Sequence, residues 1–482
     1  MNNPSSSAPQ KTESKETKTL FPELIPVEPK PSAKCTLSFE DPNLKPIELP
    51  MLESTEGFKF IDVRSILPER GVGIYDPGFS CTAYCTSKIT SINGKKGLLE
   101  YRGHRIEDLI EHCNYLEVCY LLLFGRLPSR RELEKFEKEV FSEMCVHENI
   151  RDFFKSFERD SHPMAIMISV IGTLSAFMHM GENSSSEQER ITTAIRLIAK
   201  VPVLAAYSFR TSRGLPLVNP KAKYGFVENF LRMMFKNPSE KWSMDPRIVS
   251  FFQKIMILHA DHEQNASTTT VRIASSTLAN PYACIAAGLT TLWGSNHGGA
   301  NEAVLLMLRK IATKDRIPEA LDRISKKEFV LYGFGHRIYK SKDPRAELMR
   351  QITEEVNGLI GNEEDKKFMD FAFALSDAAL QHPYIASRNL HPNVDFYTGI
   401  TFKTIGIPEN MFTVMFAVSR TVGWVTQLNE SQSQAVKLGR PRQLFVGETE
   451  KKFVPIEERE ERDFSVSVPK DCGYFKLPFH QY

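Results

Sequence analysis

Hydrophobic positions recur at helical spacing through most of the chain from Arg105 onward. Ser129 and Glu132 form a capping box at the start of one helix, and Gly125 is placed to end the helix before it. Later helices are predicted over residues 246–265, 278–293, 298–313, 344–359, 365–381 and 408–430. Several of these segments are apolar on every face, which is typical of helices at the centre of a protein. The pattern therefore predicts a mainly α protein of many helices.

A β-hairpin is predicted near the N-terminus. Residues 88–92 and 98–101 are extended runs on either side of Asn93-Gly94, a dipeptide that favours the positive φ angles of a tight turn.

The most apolar stretch, residues 163–181, contains polar residues and is shorter than the ~20 apolar residues that a membrane helix needs. It is predicted to be a buried helix, so no membrane association is expected.

Composition and charge narrow the function classes. The chain has 482 residues, with 61 Lys and Arg against 59 Asp and Glu and a net charge of +2. A charge so close to zero gives no indication of binding to nucleic acid or to a membrane surface. The first 33 residues are rich in proline and serine and poor in aromatic residues, so they are predicted to form a disordered tail.

The eight cysteines are scattered, and Cys81 and Cys85 lack the spacing of a zinc site, so reduced thiols are expected.

No secretory signal segment is recognised, and the first arginine, Arg64, follows several glutamates, unlike a mitochondrial transit peptide. The last residues do not match the Ser-Lys-Leu peroxisomal signal. We expect a cytoplasmic location rather than secretion, with the peroxisomal matrix as the alternative.

Two histidines, His259 and His262, lie three positions apart and are expected to share one helix face. Their order matches neither H-E-x-x-H nor H-x-x-E-H, so a metal site is not expected. Two interpretations stay open: a hydrogen-bonded buried histidine, or one that contacts an anion.

His297 lies in the glycine-rich segment 294–299, directly before a predicted helix. The positive potential at a helix N-terminus favours a neutral imidazole, which can donate a hydrogen bond without acting as an acid at pH 7. The glycines would let backbone amides approach a ligand. The alternative is a helix start with an incidental histidine.

Residues 333–346 combine His336 with several cations and a predicted helix start. Asp343 followed by Pro344 is typical of an N-cap and a first helical position, which places Arg345 in the first turn. The helix dipole disfavours cations there unless an anion is bound. The segment therefore favours an anionic small molecule, and a solvated basic patch is the alternative.

Asp395 is surrounded in sequence by Val394, Phe396 and Tyr397, which should desolvate its carboxylate and raise its basicity. It could serve as a general base, and the alternative is a helix-capping aspartate.

Arg420 lies two positions after the apolar segment 411–418 of a predicted helix. A buried guanidinium is rarely left unpaired, so a protein carboxylate or a bound carboxylate is expected to meet it. Arg440 and Arg442 add further positive charge. Because guanidinium groups bind carboxylates bidentately, these arginines, the histidines and Asp395 suit a di- or tricarboxylate substrate, with no metal or flavin needed.

The segments that carry these residues resemble citrate synthase, from about residue 50 to residue 447. The resemblance rests on HADHEQNAST (259–268), GSNHGGANEA (294–303), GFGHRIYKSKDPRA (333–346), HPNVDFYTGI (391–400) and LGRPRQLF (438–445). Residues 76–103 resemble the bacterial and plant-peroxisomal branch of the family more than the mitochondrial branch.

The resemblance implies a nearly all-α homodimer with shared active sites, or a hexamer of dimers, whose large and small domains close over the substrate. It implies a catalytic trio of His297, His336 and Asp395. The implied ligands of oxaloacetate and citrate are His262, His336, Arg345, Arg420 and Arg440, the last in the neighbouring subunit's site. Lys340 would contact the phosphates of coenzyme A, whose thioester is a co-substrate, and no other cofactor is implied.

The implied reaction is condensation of acetyl-CoA with oxaloacetate, followed by hydrolysis of citryl-CoA. The alternative is 2-methylcitrate synthase, because one methyl group in an apolar pocket changes binding by only ~1–3 kcal/mol. A more distant alternative is a non-catalytic helical scaffold that binds anions.

The predicted domain organisation has five parts along the chain. They are a tail over 1–33, a β-containing region over 34–103, a large helical domain over 104–296, a small domain over 297–407, and the rest of the large domain with a C-terminal arm over 408–482.

Overall fold

The structure, a computed structural model, describes residue 21 and residues 24–178, 186–435 and 437–460. Eighteen α-helices and six short strands lie in this described part, which confirms the mainly α architecture. The helices are α1 (Ile66–Arg70), α2 (Ile106–His112), α3 (Tyr115–Phe124), α4 (Arg130–Ser142), α5 (Glu148–Phe153), α6 (Pro163–Phe177), α7 (Glu187–Ser212), α8 (Phe226–Phe235), α9 (Pro246–His259), α10 (Ala266–Ser275), α11 (Pro281–Leu292), α12 (Ala300–Ile311), α13 (Ile317–Ser325), α14 (Pro344–Ile360), α15 (Glu363–Gln381), α16 (Pro383–Ala386), α17 (Val394–Ile405) and α18 (Phe412–Gln432).

The strands form two small antiparallel sheets in the N-terminal region. One sheet has the order β1 (Ala33–Leu37), β2 (Ile47–Glu53), β3 (Lys59–Ile61), and the other has the order β4 (Thr90–Asn93), β5 (Leu98–Tyr101), β6 (His104–Arg105). The first sheet has no counterpart among the predicted strands. Its strands are mostly exposed or half-buried, so they lack a strong alternation of apolar and polar residues.

The predicted hairpin is the pair β4 and β5, but its turn differs from the prediction. Asn93 and Leu98 form the last residue pair of the two strands, so the turn comprises residues 94–97 rather than Asn93-Gly94. The positive φ lies at Gly97, at 66°. Gly94 is required for a different reason, because a Cβ atom there would lie 2.2 Å from the carbonyl oxygen of Ile338.

The tail predicted over residues 1–33 lies mostly outside the described residues. Where it is described, it contacts the helical body: the Phe21 ring lies 5.5 Å from the Phe124 ring, and the Phe21 amide donates to Glu187. Strand β1 already begins at Ala33. The predicted tail is therefore too long at its C-terminal end.

Residues up to Gly439 form one compact unit, and a second unit begins at Arg440. This division does not separate a small domain over residues 297–407, and that boundary stays a prediction. In the described part of the first unit, α18 is buried along almost its whole length and lies at the centre of the core.

The helix predicted over residues 246–265 ends at His259, and residues 260–265 form a loop, so the prediction was wrong for those six residues. Helix α9 ends at His259, and α10 begins at Ala266 after its N-cap, Asn265, whose side chain accepts from Thr268. In the loop, Glu263 has a φ of 52°, and its amide donates to the Asp261 carboxylate at 3.2 Å. His262 therefore lies in a loop and shares no helix face with His259.

Helix α18 docks on this loop through three positions of one face. Arg420 Nε donates to the His259 carbonyl at 2.7 Å, the Gly423 amide donates to the Ala260 carbonyl at 3.1 Å, and Gln427 Nε2 donates to Asp261 Oδ2 at 3.3 Å. A Cβ atom at position 423 would lie 2.3 Å from the Ala260 oxygen. This close approach fixes the position of Arg420 relative to His262.

Helix α7 is, by length and composition alone, long and apolar enough to cross a membrane. Most of its apolar window, 78%, is buried inside the protein, as expected for a core helix. The buried helix predicted over residues 163–181 is α6 as far as Phe177, and its last three predicted residues lie outside the described part.

Candidate active site

His297 lies in a tight turn before α12. The Gly294 carbonyl accepts from the amides of His297 and Gly299. A Cβ atom at Gly299 would lie 2.7 Å from the Trp293 carbonyl oxygen, so this glycine serves the folding of the turn. Glycine is therefore required at position 299 by the fold of the turn, and not by the approach of a ligand expected from the sequence.

The ring of His297 is held through one nitrogen. Its Nε2 atom lies 2.9 Å from Ser267 Oγ and accepts from the Ser267 amide at 3.4 Å. Because a backbone amide can only donate, Nε2 is unprotonated and the neutral ring carries its proton on Nδ1. Burial, together with the charge of Arg420, lowers the pKa of His297 to about 3. His297 is therefore a neutral hydrogen-bond donor at pH 7.

His336 is held in the same way through its other nitrogen. Its Nδ1 atom accepts from the amides of Ile338 at 3.1 Å and Tyr339 at 3.3 Å, so the neutral ring carries its proton on Nε2. Burial and the charge of Arg345 lower the pKa of His336 to about 4. Two histidines of the predicted trio thus have a fixed tautomer.

The loop that carries His336 is tied to the start of α17, which carries Asp395. The Gly335 amide donates to the His391 carbonyl at 2.8 Å, and the Asn393 amide donates to the Gly333 carbonyl at 2.9 Å. Asn393 Nδ2 also donates to the Gly335 carbonyl, at 3.0 Å. These bonds fix the His336 loop relative to Asp395.

Asp395 is not the cap of its helix. Asn393 is the N-cap, and its Oδ1 atom accepts from the Asp395 amide at 3.1 Å. The Asp395 Oδ1 atom is buried and has no hydrogen-bond partner among the described residues. Burial raises the pKa of Asp395 to about 7, against the lowering effect of Arg345 and Arg420. The carboxyl group is therefore free to exchange a proton near neutral pH.

The two histidines of the 259–262 segment differ in their surroundings. His259 is enclosed in α9, where its Nδ1 atom bonds the Ile255 carbonyl at 2.8 Å, and it fits the interpretation of a buried structural histidine. The His262 ring lies 5.1 Å from the His336 ring. Burial, followed by the charge of Arg345, lowers the pKa of His262 well below its ordinary value. His262 fits the interpretation of an anion contact.

Arg345 is 3% exposed and paired within its own helix turn. Its Nε and Nη2 atoms donate to the two oxygens of Asp343 at 3.1 and 2.8 Å, and Asp343 is also the N-cap of α14. The helix start predicted at Asp343-Pro344 is confirmed, but a protein carboxylate supplies the anion next to Arg345. Among the neighbouring cations, Arg337 donates to the Gly78 carbonyl and to Ser80, and Lys340 is exposed.

Arg420 is 1% exposed and differs from Arg345 in lacking a carboxylate partner. Its Nε atom bonds the His259 carbonyl, its guanidinium carbon lies 4.8 Å from the centre of the Phe416 ring, and Nη1 is buried without a partner. Within the described part of the chain, no carboxylate oxygen lies in ion-pair distance of it. A bound carboxylate is therefore the better of the two predicted partners.

The charges of Arg345 and Arg420 both act on the pKa of Asp395 and of His262, and that of Arg420 also acts on His297. The structure thus brings together His262, His297, His336, Arg345, Asp395 and Arg420, as the sequence predicts. Arg440 is exposed and belongs to the second unit, and its role in the site stays a prediction.

Two residues next to the predicted site residues were missed from the sequence, Ser267 and Tyr339. Ser267 contacts His297, and the Tyr339 hydroxyl lies 3.3 Å from His262 Nε2. Both fall inside the motif strings, but a serine or a tyrosine gives no signal of its own without the three-dimensional arrangement. Among the described residues, no three His, Cys, Asp or Glu side chains are grouped to hold a metal ion.

Proteins of known family resemble this chain in sequence and in fold. The family model described as the C-terminal domain of citrate synthase matches residues 78–442. The chain belongs to the citrate synthase family. Three solved citrate synthase structures are similar to this chain in fold and sequence. The protein from Thermotoga maritima MSB8 is 31% identical with a TM-score of 0.71, and the match covers 80% of this chain and all of that one.

The citrate synthase from Thermoplasma acidophilum, a ternary complex with carboxymethyl coenzyme A and oxaloacetate, is 30% identical with a TM-score of 0.74. The match covers 79% of this chain and 98% of that one. The citrate synthase from Pyrobaculum aerophilum is 33% identical with a TM-score of 0.69, covering 85% of this chain and 97% of that one. Membership of this family makes the chain a transferase-type condensing enzyme.

Proposed function

We propose that this enzyme condenses acetyl-CoA with oxaloacetate and hydrolyses the resulting citryl-CoA to citrate and coenzyme A. One observation carries the proposal. Asp395, a buried carboxyl group with a free oxygen and a pKa of about 7, lies in one site with two neutral histidines whose protons are directed by backbone donors. This combination suits removal of a weakly acidic proton next to a carbonyl group.

Oxaloacetate would be bound by its carboxylates. The unpartnered Nη1 atom of Arg420 can donate to one carboxylate, and Arg345 and His262 can contact the other. Asp343 pairs with Arg345, whereas no carboxylate among the described residues lies within ion-pair distance of Arg420. The Thermoplasma acidophilum enzyme, which holds oxaloacetate, supports this choice of ligand.

The first chemical step would form the enol of acetyl-CoA. The Asp395 carboxylate takes a proton from the methyl group, and His297 Nδ1 donates a hydrogen bond to the thioester oxygen. Since the His297 pKa is about 3, the ring stabilises the enol as a neutral donor and does not become a full acid.

The second step would join the two substrates. His336 Nε2 donates to the ketone oxygen of oxaloacetate and polarises it while the enol carbon attacks. The new carbon–carbon bond gives citryl-CoA, and the former ketone oxygen becomes its hydroxyl by taking up, in net balance, the proton that Asp395 removed from the methyl group. Water then adds to the thioester carbonyl, and coenzyme A leaves as the thiol.

The remaining predictions extend this proposal. Lys340, which is exposed at the rim of the His336 loop, would contact the phosphates of coenzyme A. Arg440 would complete the site of the neighbouring subunit in a homodimer, or in a hexamer of dimers. Coenzyme A enters as a co-substrate, and we propose no metal or other cofactor. The proposed location is the cytoplasm.

The test is release of coenzyme A from purified protein, followed with a thiol reagent, with oxaloacetate and either acetyl-CoA or propionyl-CoA. Oxaloacetate-dependent release that favours acetyl-CoA is the expected result, and preference for propionyl-CoA would make the enzyme a 2-methylcitrate synthase. Asp395→Asn should lower the rate of release by roughly 10²- to 10⁴-fold, and Asp370→Asn, at an exposed position of α15, is the matched control that should leave the rate unchanged. No release with either thioester would leave only an anion-binding scaffold.

A further inference from the structure

Tyr339 lies between two of the site histidines and bonds to both. Its backbone amide donates to His336 Nδ1 at 3.3 Å, and its hydroxyl lies 3.3 Å from His262 Nε2. The three rings are in mutual contact, with centroids 4.7 Å apart for Tyr339 and His336 and 5.7 Å apart for Tyr339 and His262. The side chain is 4% exposed, so water does not compete for its hydroxyl.

The backbone of Tyr339 is held independently of this hydroxyl. The amide of the next residue, Lys340, donates to the Gly94 carbonyl of the β4–β5 turn at 3.0 Å, and Ser341 Oγ donates to the same carbonyl. Asn389 Nδ2 donates to the Lys340 carbonyl. Loss of the hydroxyl would therefore leave the loop and the Tyr339–His336 bond in place.

The hydroxyl can determine which nitrogen of His262 carries the proton. Burial raises the pKa of Tyr339 far above its ordinary value, so the hydroxyl stays protonated at neutral pH. When it donates to Nε2, the neutral His262 ring carries its proton on Nδ1. That nitrogen can then donate to an anionic oxygen next to Arg345 and Arg420.

We propose that Tyr339 is a positioning residue for oxaloacetate, whose hydroxyl holds His262 in the Nδ1-protonated form while its backbone orients His336. The inference rests on the proposed function, because it assumes that oxaloacetate binds at these groups. It predicts that the hydroxyl acts on substrate binding through His262 and has no part in the chemical step.

The test is a double-mutant cycle with Tyr339→Phe, His262→Ala and the double variant, measured by calorimetric titration of oxaloacetate into the full-length protein. Tyr339→Phe alone should weaken oxaloacetate binding about 3- to 10-fold, the range for one neutral hydrogen bond. In the His262→Ala background the same substitution should change the dissociation constant by less than about 1.5-fold, since coupled residues are not additive. The kcat at saturating oxaloacetate should stay within about twofold of the unsubstituted enzyme.

Tyr207→Phe is the matched control, because it removes another buried hydroxyl, which donates to Asn219 and contacts no site residue. It should leave oxaloacetate binding unchanged. If Tyr339→Phe does not fold, Tyr339→Met removes the hydroxyl with a flexible side chain and should give the same cycle.

Any of four results would overturn the inference. Equal losses of affinity in both backgrounds would mean that Tyr339 acts structurally, and a loss confined to kcat would place it in the chemical step. Unchanged binding in Tyr339→Phe, with active unsubstituted enzyme, would remove the inference alone. An unsubstituted protein that neither binds oxaloacetate nor releases coenzyme A would remove the proposed function, and the inference with it.

Discussion

Replacement of Arg420 by methionine tests whether this guanidinium exists for a ligand or for the fold. The side chain is almost fully buried, has one hydrogen bond through Nε and has a free Nη1. Methionine keeps the length and the apolar character of the stem and removes the charge. A guanidinium that serves the fold should cost stability when removed, and one that serves a ligand should cost affinity.

The structure gives the size of each term. Burial lowers the pKa of Arg420 from 12.5 to about 10, which corresponds to ~3 kcal/mol of unfavourable free energy for keeping the charged form in the folded protein at pH 7. Against this, the substitution loses a charged hydrogen bond to the His259 carbonyl, ~1.5–3 kcal/mol, and the contact with the Phe416 ring, ~0.5–2 kcal/mol. These terms nearly cancel, so the free energy of unfolding should change by at most ~2 kcal/mol in either direction.

The effect of the substitution on oxaloacetate binding has no opposing contribution of this kind. Loss of the bond that Nη1 would make to a carboxylate should weaken oxaloacetate by ~1.5–3 kcal/mol, about 10- to 150-fold in the dissociation constant. Urea unfolding of the ligand-free protein and titration of oxaloacetate measure the two quantities separately.

The matched control is Arg210→Met in α7. Arg210 is equally buried, but its donors bond the carbonyls of Pro216, Met234 and Lys236. The Arg210→Met variant should lose more stability than Arg420→Met and should bind oxaloacetate as tightly as the unsubstituted protein. A loss of several kcal/mol of stability in Arg420→Met, with an unchanged KM for oxaloacetate, would mean that Arg420 pairs with the protein and not with a ligand.

Four further predictions follow from the site. Asp395→Asn should lower kcat by roughly 10²- to 10⁴-fold and leave oxaloacetate affinity nearly unchanged, because only proton transfer is lost; steady-state kinetics and titration separate the two. In the unsubstituted enzyme, kcat/KM for acetyl-CoA should rise with pH and level off above about 7, as Asp395 ionises; a flat profile from pH 6 to 8 would speak against this base. Gly423→Ala should lower the free energy of unfolding by ~1–3 kcal/mol and also weaken oxaloacetate, because the added Cβ would displace α18 from the Ala260 carbonyl. Acidification below pH 6.5 should lower stability in urea more in the unsubstituted protein than in a His297→Asn, His336→Asn double variant, because the unfolded chain protonates these histidines while the folded chain, with pKa values of about 3 and 4, does not; the raised pKa of Asp395 acts in the opposite direction but is present in both proteins, so an equal pH dependence would contradict the neutral state of the histidines.

Much of the helical architecture could be predicted from the sequence because its signals are local. The capping box at Ser129, the glycine after α3 and the Asp343-Pro344 start of α14 each depend on neighbouring residues, and the structure has all three. The predicted site residues of the first unit also come together, because the motif strings that carry them lie on α18, at helix starts or in loops between helices.

The errors arose where distant parts of the chain decide the local structure. The segment 260–265 has a helical pattern, but it leaves the helix where Thr90, from β4, and Gln427, from α18, donate to the Asp261 carboxylate. Gly94 is required by the Ile338 carbonyl, far along the chain, and not by its own turn. Neither interaction has a signal in the local sequence.

Detection of the product by ¹³C NMR shows whether the site joins the acetyl carbon to oxaloacetate. Purified protein with oxaloacetate and acetyl-CoA labelled at the methyl carbon should give citrate with the label in one methylene group, one molecule for each coenzyme A released. Asp395→Asn should give neither product at a comparable rate. Release of coenzyme A together with labelled acetate, and without labelled citrate, would mean that the site hydrolyses thioesters and forms no carbon–carbon bond.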